Sequence, residues 1–168
     1  MHVLIIRHAI AEDPEKFART GRIDAQRPLT AKGRKRMALA ARGLRRLTDI
    51  DLMAHSPLAR SRQTADILNE QYPGTKARNF DALAPGGDPD DVLDWLAYLS
   101  DGAVVALVGH EPDLSQLIGR LTTGAARSFV RLKKGAAVML EFEGRPAAGG
   151  ARLLWAWTPG QLRILARG

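Results

Sequence analysis

The chain contains no cysteine, few aromatic residues (5%) and no long apolar run. The absence of cysteine excludes disulfides and thiolate metal sites. No stretch approaches the roughly 20 apolar residues that a membrane helix needs. The first residues also lack the apolar core and cleavage site of a signal peptide. We therefore expect a cytoplasmic protein that has no membrane partner.

The remaining composition is typical of a folded globular protein. Of its 168 residues, 45% are hydrophobic and 26% are charged, which is ordinary for a domain of this size. No internal repeat or linker is visible, so we expect a single domain over residues 1–168. The net charge of +7 favours anionic partners, without choosing between nucleic acids and small phosphates.

Short apolar runs alternate with helical patterns along the first three quarters of the chain. The runs at 3–6, 51–55 and 103–108 predict buried strands. Helices are expected over 30–47, 57–68, 88–99 and 111–121, and a short edge strand over 76–81. Crossover helices between strands imply parallel pairing, with helices on both faces of the sheet.

The last part of the chain has a different pattern. Residues 136–142 and 152–157 are rich in strand-forming residues and flank a turn rich in glycine and proline, which predicts a hairpin. Residues 161–165 fit either a last short strand or a helix. The expected fold class is therefore α/β, a three-layer α/β/α sandwich with a mostly parallel central sheet and a C-terminal β-hairpin.

Arginine and histidine side chains follow three of the predicted strands. Arg7 and His8 follow the first strand, Arg60 lies about one helical turn beyond the second, and His110 follows the third. Ligands of parallel sheets bind beyond the carboxyl ends of the strands, which meet at one edge. The sequence therefore predicts that these four side chains converge on one site.

These residue types suit phosphoryl transfer. Guanidinium groups match phosphate oxygens with paired hydrogen bonds, and a neutral imidazole is a suitable nucleophile. The flanking arginines disfavour the protonated form of His8. A zinc site from His8, His55 and His110 is the alternative, but neighbouring arginines oppose a bound cation. We expect no metal and no cofactor.

Four segments resemble one known family. They are LIIRHA at 4–9, RPLTAKG at 27–33, SPLARSRQTA at 56–65 and LVGHEPDL at 107–114. Together they resemble the histidine phosphatase superfamily, also called the phosphoglycerate-mutase-like superfamily. The short chain and the RPLT segment are most similar to its SixA-type phosphohistidine phosphatase branch. The resemblance implies a phosphatase that works through a phosphohistidine enzyme intermediate.

The resemblance also implies roles for single residues. His8 matches the nucleophile that becomes phosphorylated. Arg7 and Arg60 match the arginines that hold the phosphoryl oxygens. His110 matches a second pocket histidine that donates to the same group.

Other matched positions carry no predicted chemistry or depart from the family pattern. Gln63 and Thr64 match a segment that supports the pocket helix. Arg27 lies either at the rim of the site or in a structural turn. Ala9 replaces the glycine that is common after Arg-His. His55 replaces a small residue, and we expect it to pack rather than line the site.

The general acid is the least defined element of the predicted site. Asp81, Asp88 and Glu111 are candidates, although none lies in a clear motif and each also fits a helix cap or a surface charge. Imidazole leaves more easily than an alkoxide, because its conjugate acid has a pKa of about 6.5. A weak or absent acid therefore favours phosphohistidine over phosphomonoesters.

The expected substrate is phosphohistidine carried by a protein partner. One alternative is a phosphatase for small molecules such as sugar phosphates, nucleotides or polyphosphate. Another is a protein that binds anions or nucleic acid without turnover. Residues 27–46 include eight basic and no acidic side chains, which favours docking of an anionic partner. The few aromatics and the absence of a reading motif argue against nucleic acid.

Overall fold

The computed structural model describes residues 1–75 and 77–167. In this part of the chain, six strands form one sheet: β1 (His2–Arg7), β2 (Leu52–His55), β3 (Ala77–Asn79), β4 (Val104–Gly109), β5 (Ala137–Glu141) and β6 (Arg152–Trp157). Their order is β3-β2-β4-β1-β5-β6. Strands β1 to β4 are mutually parallel, whereas β5 is antiparallel to both of its neighbours, β1 and β6. The mostly parallel sheet and the C-terminal hairpin are thus confirmed.

The described α-helices are α1 (Pro14–Ala18), α2 (Ala31–Arg45), α3 (Ala59–Asn69), α4 (Pro89–Ala97), α5 (Asp113–Thr123) and α6 (Pro159–Leu165). The predicted helices are confirmed with shifted ends, and the segment 161–165 belongs to a helix. Thr30 caps α2, since its hydroxyl accepts from the amide of Gly33 at 2.9 Å. Of the strand predicted at 76–81, residues 77–79 form β3, while residue 76 lies outside the described residues.

Three short elements were not predicted. Helix α1 and a 3-10 helix at Asp24–Gln26 lie in the segment expected to be a polar loop. A second 3-10 helix, Asp81–Leu83, precedes α4. None of the described helices is long and apolar enough to cross a membrane.

The sheet is covered on both faces. Side chains alternate along a strand, so Val3 and Ile5 pack against α4 and α5, whereas Leu4 and Ile6 pack against α2, α3 and α6. This arrangement confirms the three-layer sandwich. Because both apolar cores pack on the same sheet, we infer a single domain.

The carboxyl ends of the three central strands are held side by side. The amide of His8 donates to the carbonyl of Gly109 at 3.0 Å, and the amide of Ser56 donates to Val108 at 3.0 Å. Gly135 donates its N–H to the carbonyls of Arg7 (3.0 Å) and His8 (3.2 Å). It does so with a φ of 79°, which side-chain-bearing residues rarely adopt. The backbone after β1 is therefore anchored from two directions.

Candidate active site

A cavity of about 370 Å³ lies at the carboxyl ends of these strands and is lined by all four predicted residues. These are Arg7, His8, Arg60 and His110. The imidazole rings of the two histidines have centroids 5.0 Å apart. The topology thus brings together side chains that are separated by up to about a hundred positions in the chain.

His8 is held as a neutral ring with one free nitrogen. It is buried, and its Nδ1 lies 2.7 Å from the carbonyl oxygen of Ala9. A carbonyl can only accept, so Nδ1 carries the hydrogen and Nε2 keeps its lone pair. Burial lowers the pKa of His8 to about 3, with smaller contributions from the charges of His110, Arg60 and Arg7. The predicted neutral state therefore depends more on burial than on the arginines.

His110 is held with its opposite nitrogen toward protein hydroxyls. Its Nε2 lies 2.8 Å from Ser56 Oγ and 3.2 Å from Ser61 Oγ. Burial and then the charge of Arg60 lower the pKa of His110 to about 4. Ser56 Oγ already accepts from the amide of Leu58 at 3.3 Å, which favours the hydroxyl as donor to Nε2. The hydrogen of the neutral ring then lies on Nδ1, which is buried without a partner in the described residues.

Both arginines are tethered through one terminal nitrogen. Arg7 Nη1 donates to the carbonyl of Leu132 at 2.7 Å, and Arg60 Nη1 donates to the carbonyl of Asp24 at 3.1 Å. Within the described chain, the Nε–H groups of both arginines are buried and unpaired. Together with Nδ1 of His110, they make three buried donors that have no partner in the described residues, all on side chains that line the cavity. Such donors cost free energy, so an anion that satisfies them is bound favourably.

Side chains of α3 hold the backbone segments around the cavity in place. The Thr64 hydroxyl accepts from the amide of Ala9 at 3.0 Å and donates to the carbonyl of Arg60 at 2.7 Å. Gln63 Oε1 accepts from the amide of Leu29 at 2.8 Å. These bonds tie the loop after β1 and the segment before α2 to the helix that carries Arg60.

Arg27 and His55 occupy distinct environments. Arg27 lines the cavity and donates from Nε to Asp24 at 2.6 Å and from Nη1 to the carbonyl of Glu12 at 2.7 Å. His55 is buried outside the cavity lining, with Nδ1 2.8 Å from the carbonyl of Ser56. In residues 1–75 and 77–167, no set of three or more histidine or carboxylate side chains is arranged to hold a metal.

Sequence and structure comparisons identify the family. A profile of the histidine phosphatase superfamily (branch 1) matches residues 3–84. A protein of Picosynechococcus sp., itself uncharacterized, is 34% identical over 168 residues, which cover 98% of this chain and 95% of that protein. The chain belongs to the histidine phosphatase superfamily. Membership favours turnover of phosphate compounds over binding without catalysis, and the protein is a phosphatase.

Two solved structures are similar to this histidine phosphatase. The protein histidine phosphatase SixA complexed with tungstate is 25% identical, with a TM-score of 0.82 and coverage of 96% of this chain and 99% of that chain. The histidine phosphatase thus belongs to the SixA-type branch. A mycobacterial glucosyl-3-phosphoglycerate phosphatase in complex with VO3 shares the fold, with 18% identity, a TM-score of 0.70 and coverage of 94% and 98%.

The structure separates the three general-acid candidates of this histidine phosphatase. Glu111 lines the cavity; its Oε2 accepts from the Ser115 hydroxyl at 2.8 Å, while Oε1 is buried without a partner in the described residues. Asp81 instead accepts from Asn79 at 2.8 Å, and Asp88 caps α4. Neither lines the cavity, so Glu111 is the one of the three that the structure brings to the other predicted site residues.

Two charged residues of the cavity were not predicted, namely Asp24 and Lys134. Partial burial opposes ionisation of Asp24, but the hydrogen bond from Arg27 and the charge of Arg60 hold its pKa below the ordinary value. Burial and then the charge of Arg7 lower the pKa of Lys134. The one sequence signal for Asp24 is its position three residues before Arg27, and Lys134 has no comparable motif.

Proposed function

We propose that this phosphatase transfers the phosphoryl group of its substrate to Nε2 of His8, and that the substrate is phosphohistidine on a protein partner. One observation carries this proposal: three buried donors without partners in the described residues belong to side chains that line the same cavity as the unprotonated nitrogen of His8. Donors of this kind match the oxygens of a phosphoryl group better than they match any cation or apolar ligand.

The proposed reaction has two steps. In the first, the guanidinium groups of Arg7 and Arg60 and the Nδ1–H of His110 bind the phosphoryl oxygens. Nε2 of His8 attacks phosphorus, the bond to the leaving group breaks, and its electron pair stays on the leaving atom. The carbonyl of Ala9 stabilises the positive ring that results. In the second step, water attacks phosphorus, and His8 returns to its neutral form as phosphate leaves.

The same geometry supports a mechanism without metal. Arg7 and Arg60 bring two permanent positive charges to the cavity, and burial strengthens their interaction with an anion. Their pKa values are lowered mainly by burial, but guanidinium groups remain cationic in proteins. Charge stabilisation of the phosphoryl group is then supplied by the protein alone.

Phosphohistidine is the favoured substrate because the site has no well-defined general acid. Its leaving imidazole needs less help from an acid than an alkoxide does. The similar structure described as a protein histidine phosphatase agrees with this substrate class. Small phosphomonoesters are the second candidate, favoured by one observation: Glu111 presents a buried carboxylate oxygen in the cavity wall.

The test compares kcat/KM for a phosphohistidine peptide with values for a sugar phosphate, a nucleotide and an aryl phosphate, each with and without EDTA. We expect the phosphohistidine peptide to have the highest value and EDTA to have no effect. His8→Ala should abolish turnover, while His2→Ala serves as the matched control, because His2 lies at the opposite end of β1. Faster turnover of a small phosphomonoester would establish the second candidate instead.

A further inference from the structure

Asp24 places a carboxylate in a cavity whose other charged groups are mostly cations. Its Oδ2 lies 3.0 Å from Arg60 Nη1, and its Oδ1 lies 2.6 Å from Arg27 Nε. The side chain of Arg60 is 6% exposed, whereas that of Asp24 is 56% exposed. The ion pair therefore runs from the buried wall of the cavity toward its mouth, with the carboxylate on the solvent side.

A carboxylate at this place is costly for a site that binds only an anion. It repels the phosphoryl oxygens and offsets part of the positive charge of Arg60. Positioning of Arg60 does not require the carboxylate, since the backbone carbonyl of Asp24 accepts from the same Nη1 at 3.1 Å. The carboxylate pairs with Arg27, but that ion pair alone does not require it to lie beside the phosphate-binding Arg60, where it is suited to bind a group of the substrate directly.

The ionisation and the hydrogen bonds of Asp24 indicate which kind of substrate group the carboxylate binds. Arg27 and Arg60 hold its pKa below the ordinary value, so the carboxylate is ionised near neutral pH and accepts hydrogen bonds rather than donating a proton. Each oxygen has one arginine partner in the described residues and retains further lone-pair capacity. With more than half of the side chain exposed, that capacity is open to a group that enters the cavity from solvent.

We propose that Asp24 is a specificity-determining residue that accepts a hydrogen bond from the leaving imidazole of phosphohistidine. The hydrogen is the one on the ring nitrogen that is not bonded to phosphorus. This inference rests on the proposed function, since it requires a phosphohistidine substrate.

The step balances with the proton already on the substrate. The remote ring nitrogen of phosphohistidine carries the hydrogen that Asp24 binds. Nε2 of His8 forms its bond to phosphorus, the P–N bond breaks, and the electron pair goes to the near ring nitrogen. The imidazole leaves neutral, still holding the remote hydrogen, so Asp24 neither gains nor loses a proton.

The same contact disfavours phosphomonoesters. Their leaving oxygen has no N–H and gains negative charge as the P–O bond breaks, which the Asp24 carboxylate repels. Asp24 thus distinguishes leaving groups by charge and by hydrogen bonding, while Arg7, Arg60 and His110 bind the phosphoryl group that both substrate classes share.

The test measures kcat/KM of Asp24→Asn on a phosphohistidine peptide and on p-nitrophenyl phosphate. Asparagine keeps the shape and one acceptor oxygen for the arginines, but removes the charge. Because a hydrogen bond to a charged group contributes enough for a ~10- to 100-fold effect, we expect a loss of that size on the peptide. On p-nitrophenyl phosphate we expect no loss or a gain. Asp49→Asn is the matched control, since Asp49 pairs with Arg45 on the exposed surface.

Each outcome has a separate meaning. Equal losses on both substrates would show that the carboxylate only positions Arg60, and unchanged kcat/KM on both would show that it contacts neither leaving group; either result overturns the role of Asp24. If the wild-type enzyme cleaved p-nitrophenyl phosphate but no phosphohistidine substrate, this result would contradict the proposed substrate class. The role of Asp24, which depends on that class, would then be contradicted as well.

Discussion

Nδ1 of His8 donates to the carbonyl oxygen of Ala9, the next residue in the chain, over 2.7 Å. The acceptor is a backbone group, so it neither titrates nor changes rotamer. The N–H of the same residue donates to the Thr64 hydroxyl at 3.0 Å, which holds the backbone next to that carbonyl in place. The tautomer that leaves Nε2 free is therefore set by the fold rather than by a second titratable side chain.

The hydroxyl of Ser56 should control the tautomer of His110. In Ser56→Ala, Nε2 of His110 loses its shorter contact, 2.8 Å, so the ring should populate both neutral tautomers. We expect kcat to fall by about tenfold, the effect of one misplaced hydrogen bond. Nitrogen-15 NMR of the imidazole reports the tautomer directly. A single unchanged tautomer with full activity would contradict this role, and Ser128→Ala, at an exposed loop residue, is the control.

The buried histidines should make the fold less stable in mild acid. The unfolded chain protonates its histidines below about pH 6.5, while His8 and His110 stay neutral until pH falls to about 3 and about 4. The unfolded state then binds more protons, so stability is present above pH 6.5 and is lost as pH falls below it. For His8, the free energy of unfolding lost between pH 7 and pH 5 is about 2 kcal/mol. Urea unfolding at both pH values should show a smaller decrease in His8→Ala than in wild type; equal decreases would contradict the assignment.

The geometry of the Arg60 guanidinium should matter as well as its charge. Arg60→Lys keeps a positive charge but loses the buried Nε–H and the fixed planar fork. We expect kcat/KM to fall by about 100-fold or more, the effect of one lost oxyanion donor. Inhibition by vanadate should weaken in parallel. Arg46→Lys, on an exposed arginine beyond α2, should leave both values unchanged, and retention of full activity in Arg60→Lys would contradict the assignment.

The basic surface of α2 should affect docking rather than chemistry. Arg42 and Arg46 are exposed, whereas Arg45 pairs with Asp49 and stacks over Tyr72 and is left intact. Substitution of Arg42 and Arg46 by Glu should raise KM for a phosphohistidine protein and reduce the salt dependence of that KM. Turnover of p-nitrophenyl phosphate should not change. A comparable loss on that small substrate would mean that the surface belongs to the catalytic site.

Much of the fold and the main cavity residues follow from local patterns. Buried strands such as β4 are nearly continuous apolar runs, and the residue after each run lies at the sheet edge where parallel strands end. The positions of His8 and His110 directly after such runs were therefore enough to predict that the two side chains lie together. Thr30 could be predicted as a cap because its side chain acts within one helical turn.

The residues that were missed depend on contacts between distant segments. Asp24 lies in a polar segment without periodicity, and its partner Arg60 is 36 positions away. Lys134 reaches the cavity because Gly135 binds the backbone after β1, a contact that no local pattern reveals. Glu111 could not be separated from Asp81 and Asp88 because all three fit caps or surface charges equally well.

Trapping of the phosphorylated enzyme tests whether His8 carries the phosphoryl group during turnover. The enzyme is mixed with a phosphohistidine peptide, quenched within milliseconds in alkali, digested and sequenced by mass spectrometry. We expect one phosphoryl group on His8, stable in alkali and labile in acid, that forms and decays at rates matching turnover and is absent in His8→Ala. Phosphorylation of a different residue, or steady turnover in His8→Ala, would contradict it.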